Sequence, residues 1–300
     1  MSSDLSEFQR IQLDPHNPKG DYSFPSLKPR RKTPGCIVAI IVLCLLAFLP
    51  LVLPGRTNVL LLGVDARPGE GNLGRSDTMI LTTFQPLRRY VGMLTIPRDL
   101  WVEIPGVGEN RINTAHFFAE AEQKDSGPTA AKQAVRENFG VDVDYFVRIR
   151  FDGLKDLVDT LGGLEVTLPR DMSGYTQGTH RMDGTQALAF VRDRAGSDDL
   201  FRNERAIIFL RAFIDEVLRP ANWPHMPDFF AALMQTVDTD IPVWMWGRLG
   251  ITLLAVGPGN IDGRSITHEM VTPFTTQGGA SVLLPRWDLI DPLLLEVFGQ

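Results

Sequence analysis

A run of residues without a single charge, Cys36 to Pro54, limits what this 300-residue chain can fold into more than any other feature. The run reads CIVAIIVLCLLAFLPLVLP, and as a helix it is long enough to cross a bilayer core of about 30 Å. Four basic residues lie shortly before it (Lys28, Arg30, Arg31 and Lys32), whereas Arg56 alone follows it closely. Basic residues concentrate on the cytoplasmic side of a span. We therefore predict one transmembrane helix over 36–54, a cytoplasmic N-terminus and an extracytoplasmic remainder in a single-pass cell-membrane protein.

The segments on either side of this run differ in composition. Residues 1–35 are polar and proline-rich and show no hydrophobic period, which predicts a disordered cytoplasmic tail. Of the 30 basic and 36 acidic residues, the part after residue 54 holds 24 basic and 32 acidic ones. Such an acidic domain is a poor binder of nucleic acid. Both cysteines, Cys36 and Cys44, lie in the apolar run, so the domain has neither a disulfide nor a cysteine metal site.

Strand and helix patterns alternate through the domain. The continuous apolar run from Val59 to Val64 predicts a central strand that is buried on both faces. Residues 77–84 and Tyr90–Ile96 predict two more strands, and 151–161 has the period of an amphipathic helix. Alternation of this kind predicts an α/β fold with three layers, α/β/α, around a mixed central sheet. No linker is evident, so we predict one domain over 56–300 with its motif-bearing core in 57–215.

The remaining segments complete this prediction. Helices are expected over 114–123, 128–139, from 183 toward 191, and from about 199 to 218, with two or three more over 224–300. Strands are expected over 141–150, 164–168, and near 265–271 and 281–284. We predict a loop or short hairpin over 102–113, and a polar loop over 169–182.

Charged residues mark the ends of these apolar segments. An arginine and an acid two residues apart, as in Gly74-Arg75-Ser76-Asp77-Thr78, project to the same side of a strand. Arginine suits bidentate recognition of phosphate, and a carboxylate suits a divalent ion, so such a pair fits a metal-bound pyrophosphate. Ordinary surface ion pairs, worth about 0–1 kcal/mol each, explain the same pattern, and residue type alone leaves both interpretations open. The acids are Asp65, Asp77 and Asp99; the arginines are Arg75, Arg98, Arg111, Arg192, Arg194, Arg202 and Arg205.

Two other kinds of site do not fit. None of the five histidines has a partner at the spacing of metal ligands, which argues against a zinc site. Ser76 and Thr78 lack the context of a Ser-His-Asp triad, which argues against a serine hydrolase.

The order of these motifs resembles the LytR-CpsA-Psr family. The resemblance covers about residues 57–215 and depends on several segments in sequence rather than on one. They are Gly74-Arg75-Ser76-Asp77-Thr78, Ile96-Pro97-Arg98-Asp99, Arg111-Ile112-Asn113, Leu161-Gly162-Gly163-Leu164-Glu165-Val166, Arg192-Asp193-Arg194 and Arg202-Asn203-Glu204-Arg205.

This resemblance implies an extracytoplasmic phosphotransferase of cell-wall assembly. Such an enzyme moves a glycopolymer from a polyprenyl-pyrophosphate carrier to peptidoglycan through a phosphodiester bond. It implies that Asp65 and Asp77 hold Mg²⁺ (or Mn²⁺), and that Asp65, Asp77 and Arg98 are catalytic. The lipid tail would lie in an apolar groove between the sheet and helices that include 151–161. The residues implied for pyrophosphate binding are Arg75, Arg98, Arg111, Arg192, Arg194, Arg202 and Arg205.

One departure from the family pattern and two alternative functions follow. Where the family usually has glutamine, this chain has Ala206, which removes a polar contact near the pyrophosphate. The same residues also suit a pyrophosphatase that uses water, or a membrane-anchored lipid-pyrophosphate binder or regulator without enzymatic activity. No helix-turn-helix pattern is present, so a DNA-binding regulator is not expected.

Overall fold

The computed structural model describes residues 55–64, 73–74, 76–193 and 199–299, with the backbone alone for Asp152 and 199–202. The predicted tail over 1–35 and the predicted span over 36–54 lie outside these residues. In the described part of the chain, no helix combines the length and the apolar character needed to cross a membrane.

A mixed sheet forms the centre of the domain, as predicted, and it has six strands in the described residues. Its strands, in spatial order, are β10 (Asp262–Ser265), β3 (Tyr90–Ile96), β2 (Ser76–Gln85), β1 (Thr57–Val64), β6 (Tyr145–Arg150) and β9 (Val237–Thr239). Strand β1 pairs antiparallel with β2 and parallel with β6. Strand β3 pairs antiparallel with β2 and parallel with β10, and β9 runs antiparallel to β6. The apolar run that begins at Val59 therefore lies in the interior of the sheet, where a buried strand was expected.

Helices cover both faces of this sheet, which gives the three predicted layers. The helices are α1 (Thr114–Glu122), α2 (Gly127–Phe139), α3 (Phe151–Thr160), α4 (Gly184–Arg192), α5 (Asp199–Leu218), α6 (Met226–Thr236), α7 (Val243–Val256) and α8 (Trp287–Phe298). Leu60 and Leu62 of β1 pack on one face against α1, α2 and α8. Val59 of β1 and Ile80 of β2 pack on the other face with α5 and α7. Helices α3, α4, α5 and α6 share a further apolar cluster.

In the described residues, three two-stranded sheets lie outside the central sheet. They confirm one predicted hairpin and show that the bounds of two predicted segments were wrong. The segment expected as a loop or hairpin is a hairpin, β4 (Trp101–Ile104) with β5 (Gly108–Arg111). The loop predicted over 169–182 is wrong at its end, because β8 (Gly178–Met182) pairs with β7 (Leu164–Leu168). Its alternating side chains are mostly polar, since one face meets solvent, and this hid the strand.

The strand expected near 265–271 is also wrong in its bounds. A 3₁₀ turn, His268–Met270, separates β10 from β11 (Val271–Thr275). Strand β11 then pairs with β12 (Ser281–Pro285), outside the central sheet.

Candidate active site

Asp77 and Arg98 meet near the start of β2 and just after the end of β3. These strand ends, together with the end of β1, form the edge of the central sheet described below. The antiparallel register of β2 and β3 pairs Met79 with Ile96, and its continuation brings residues 77 and 98 opposite each other. Arg98 Nη1 donates to Asp77 Oδ1 over 2.9 Å, and both side chains remain partly accessible. Val64, the last residue of β1, pairs with Ser76 at the same edge, next to a bulge. Bulges often lie beside active sites because they redirect side chains.

Ion pairs through Asp99 also connect Arg98 with Arg111, in the motif Arg111-Ile112-Asn113. Its Nε lies 3.2 Å from Asp99 Oδ2, and Arg111 Nε lies 3.1 Å from Asp99 Oδ1. Arg111 in turn donates through Nη2 to the carbonyl oxygen of Ser281, 2.8 Å away. The backbone N–H of Asn113 donates to the carbonyl of Arg98. The segments around 98 and 111, which are apart in sequence, therefore form one charged wall.

Arg192 and Arg205 lie on α4 and α5, and α5 covers the same face of the sheet as α7. The guanidinium of Arg192 stacks 5.2 Å from the centre of the Phe151 ring, a cation–π distance. Arg205 is buried and donates through Nη2 to the carbonyl of Asp193, directly after α4. Burial lowers the pKa of Arg205 from its usual value. Arg205 therefore holds the end of α4, which carries Arg192.

An apolar cavity opens beside these charged residues. It has a volume of about 70 Å³, is partly open to solvent, and lies between the sheet and helices α3, α4 and α5. Its wall consists almost entirely of carbon atoms. It includes residues of the 151–161 helix, as expected for the predicted groove. The residues that line it are Leu61, Leu62, Gly63, Thr78, Ile80, Ile149, Phe151, Leu154, Val191, Ala206, Phe209 and Leu210.

The cavity and the charged residues share the same elements. Thr78 follows Asp77, Val191 precedes Arg192, and Ala206 follows Arg205. Phe151 contributes its ring to the cavity and to the stack with Arg192. The cavity and the charged residues are therefore neighbours in sequence along β2, α4 and α5.

Ala206, the departure from the family pattern, lies in the wall of this cavity and is buried. A methyl group here extends the apolar surface, whereas a longer polar side chain would take up space at the same point. The substitution thus changes the cavity itself as well as the predicted polar contact.

A buried cluster of charged side chains, which the sequence analysis did not identify, is centred on Arg148. Arg148 of β6 is 1% exposed and contacts three acids, Glu120 of α1, Asp125 and Asp238 of β9. Glu120 Oε1 and Oε2 also accept the backbone N–H groups of Asp125 and Gly127. The one signal in the sequence is a charged residue in the middle of the strand-like stretch from Tyr145 to Ile149.

His116 connects this cluster to Gly74, in the motif that contains Asp77. Its Nδ1 lies 3.0 Å from the carbonyl oxygen of Gly74, and its Nε2 lies 3.4 Å from Arg148 Nη1. Burial, followed by the charge of Arg148, lowers the pKa of His116 to about 4. The imidazole is therefore neutral near pH 7, so Nδ1–H donates to Gly74 and Nε2 accepts from Arg148. The cluster fixes the backbone three residues before Asp77.

The predicted site is described in part. Asp77, Arg98, Arg111, Arg192 and Arg205 are described with their side chains, and Arg202 lies on α5 with its backbone alone. Asp65, Arg75 and Arg194 lie outside the described residues, so the pairing of Asp65 with Asp77 stays a prediction. Among the residues that are described, no group of three or more His, Cys, Asp or Glu side chains could hold a metal ion.

Comparison with known proteins gives the chain its family. A model of the LytR_cpsA_psr family matches residues 53–284. The chain is 37% identical over 190 residues to a protein of Oceanobacillus iheyensis named polyisoprenyl-teichoic acid–peptidoglycan teichoic acid transferase TagU. It is 33% identical over 205 residues to the TagT protein of Bacillus subtilis, which has the same transferase name.

These alignments cover part of each protein. They span 61% and 63% of this chain, but 58% and 62% of the two relatives, so the chain matches about three fifths of their length.

Solved structures agree in fold over most of the chain. A structure titled "TagT bound to LIIa-WTA" aligns with a TM-score of 0.62 at 26% identity and covers 82% of this chain and 91% of that one. The structure of TagV from B. subtilis aligns with a TM-score of 0.68 at 23% identity, covering 83% and 99%. The chain belongs to the LytR-CpsA-Psr family.

Proposed function

We propose that this protein transfers a glycopolymer from a polyprenyl-pyrophosphate carrier to peptidoglycan, on the outer side of the membrane that anchors it. One observation carries this proposal: the apolar cavity shares β2 with Asp77 and helices α4 and α5 with Arg192 and Arg205. A polyprenyl pyrophosphate has a charged head and a long apolar tail, and it fits such a pair of surfaces. The names of the TagU and TagT relatives support the same substrate class.

The proposed reaction is a phosphoryl transfer. A hydroxyl of the acceptor sugar attacks the phosphorus that bears the glycan and loses its proton. The bond from that phosphorus to the bridging oxygen breaks, and polyprenyl phosphate leaves with the electron pair. The protein's contribution is to align the groups and to stabilise negative charge, as in other phosphoryl transfers. Arg98, Arg111 and Arg192 supply positive charge, and an acid, Asp65 or Asp77, receives the proton.

The residues at the sheet edge suit a divalent cation. Carboxylate and amide oxygens are the usual ligands of Mg²⁺. Asp77 provides a carboxylate there, and the buried amide oxygen Oδ1 of Asn113 has no hydrogen-bond partner in the described structure. Asp77, together with Asp65, would hold Mg²⁺ (or Mn²⁺), which when bound neutralises charge on the pyrophosphate.

A transfer assay separates this function from its alternatives. The protein is incubated with a synthetic polyprenyl-pyrophosphate glycan, Mg²⁺ and a peptidoglycan oligomer, and products are identified by mass spectrometry. We expect a phosphodiester-linked conjugate and polyprenyl phosphate. Glycan phosphate without conjugate would instead identify a pyrophosphatase, and bound donor without turnover would identify a lipid-pyrophosphate binder.

Filling the cavity should impair the use of long lipid carriers. The substitution Ala206→Phe places a phenyl ring in the wall that Ala206 now forms. Overfilling of an apolar site costs about 1–3 kcal/mol, so we expect kcat/KM for a long-chain donor to fall roughly 5- to 150-fold. A donor with a short isoprenoid, which does not reach this wall, should be used as by the natural chain.

The matched control for this substitution is Ala231→Phe on α6, because Ala231 is solvent-exposed. This control should leave both donors unaffected. Equal use of the long-chain donor by the Ala206→Phe variant and the natural chain would show that the cavity does not hold the carrier.

A further inference from the structure

Helix α7 exposes a face without any polar side chain. Val243 is 83% exposed, and Trp244, Ile251 and Leu254 are each more than half exposed. These positions recur at the period of an α-helix and therefore form one stripe. Large exposed apolar patches on a folded domain indicate a contact with a partner or a membrane. The exposed residues of this stripe are Val243, Trp244, Gly247, Ile251, Leu254 and Ala255.

The position of α7 indicates what covers this stripe. The opposite face of α7 packs on the sheet through Met245 and Val256. The sole charged residue of the helix, Arg248, is buried and donates through Nη2 to the carbonyl oxygen of Gly55. Gly55 directly follows Pro54, where the predicted transmembrane run ends. An anchor at this point would keep α7 close to the bilayer.

A basic turn lies at the same end of the sheet. The pairing of Thr57 with Phe84 brings the turn after β2 next to the start of β1. In this turn Leu87 is 66% exposed, and Arg88 and Arg89 are exposed as well. Adjacent arginines stand out on a domain whose net charge is negative. An apolar side chain with flanking arginines suits acyl chains below anionic headgroups.

We infer that the exposed stripe of α7 and the turn Pro86–Arg89, together called the basal surface, lie in the outer interface of the membrane that anchors the chain. A helix with an apolar outer face and nearby basic residues is the type that lies in a bilayer interface. A second copy of the chain would cover the stripe equally well, but it would bring two sets of arginines together. The basic turn therefore favours anionic lipid over a second copy.

This orientation connects the basal surface to the proposed function, on which it rests for the anchor and the lipid donor. Strand β1 has eight residues, so the charged edge at its far end lies about 25 Å from its start. The apolar cavity and α7 lie on the same face of the sheet, because Ile80 both lines the cavity and packs in the cluster that contains α7. The cavity thus lies between the charged edge and the membrane, along the course that a lipid tail would take.

Site-directed spin labelling of the full chain in vesicles of phosphatidylglycerol and phosphatidylcholine tests this inference. Cys36 and Cys44 are first replaced by serine, and single cysteines are then placed at Leu87, Ile251 or Leu254. The control is Thr275, which is exposed on β11 and pairs with Ser281, the residue whose carbonyl Arg111 contacts at the charged edge. All four positions are exposed, so labels are tolerated by the fold. Flotation of the vesicles reports separately whether the chain is anchored.

We expect oxygen to relax the labels at 87, 251 and 254 several-fold more strongly, relative to a water-soluble nickel chelate, than the label at 275. Vesicle-bound protein with equal nickel access at all four positions would overturn the inference and leave the anchor and the transferase intact. Labels that are broadened by each other and sharpen on dilution with unlabelled protein would reveal a second copy instead. A chain that does not float would contradict both the anchor and the basal surface, while transfer in detergent would still report the chemistry.

Discussion

Arg98→Ala and Asp77→Ala should each abolish glycopolymer transfer while the domain stays folded. The two side chains bond to each other at the sheet edge, and the bond is partly exposed to solvent. Ion pairs of this kind contribute about 0–1 kcal/mol to stability, so the loss in folding is small. Removal of one charged donor from a site that stabilises developing negative charge typically costs about 10²–10³ in rate. We expect at least this reduction in kcat for each variant.

Three comparisons make this prediction specific. Arg98→Lys keeps the charge but loses the planar fork, so its activity should lie between those of the natural chain and Arg98→Ala. Arg136→Ala, on α2, removes an exposed ion pair with Asp142 and should not affect transfer. The unfolding midpoint of each variant is measured by circular dichroism. If folded Arg98→Ala and Asp77→Ala proteins transfer glycan at the natural rate, this edge is not the active site.

The contact between Asp77 and Arg98 shows where sequence patterns suffice and where they do not. Both residues follow or begin apolar runs, so their place at strand ends could be predicted. The sequence does not specify strand order, however, and the contact exists because β2 and β3 pair in one register. The family resemblance supplied this information indirectly, through motifs that occur in a fixed order.

Short or partly polar elements were less predictable, for a physical reason. The run from Val59 to Val64 is continuous because both faces of β1 are buried, and it gives a strong pattern. In β8, by contrast, five residues provide few apolar positions, and Met182 alone is fully buried. The burial of Arg148 was hard to predict for the same reason. In an alternating strand it resembles an outward-facing residue, yet α1 covers it and brings Glu120 to it. Such burial depends on tertiary contacts that local periodicity does not report.

The cluster around Arg148 and the predicted site are linked through the backbone. His116 contacts Arg148 on one side and the Gly74 carbonyl on the other. Segments that hold charged groups for catalysis need support from a second set of fixed residues. We interpret the cluster as this support for the strand end that carries Asp77.

Arg148→Met should therefore destabilise the domain strongly. It leaves the carboxylate of Glu120, which is 3% exposed, without its cation. Breaking a buried ion pair in this way costs about 3–5 kcal/mol. For a domain of this size each kcal/mol lowers Tm by roughly 2–4 °C, so the expected decrease in Tm is about 6–20 °C. Differential scanning calorimetry of the natural and variant proteins measures it.

Two further variants distinguish loss of the ion pair from loss of side-chain volume. Arg150→Met changes an exposed arginine on the same strand and should change Tm by no more than about 2 °C. Adding Glu120→Gln to Arg148→Met removes the uncompensated charge and should restore part of the lost stability, because a neutral amide is less costly to bury than a carboxylate. A double variant less stable than Arg148→Met would show that Glu120 stabilises the fold through its bonds to the Asp125 and Gly127 amides rather than through Arg148.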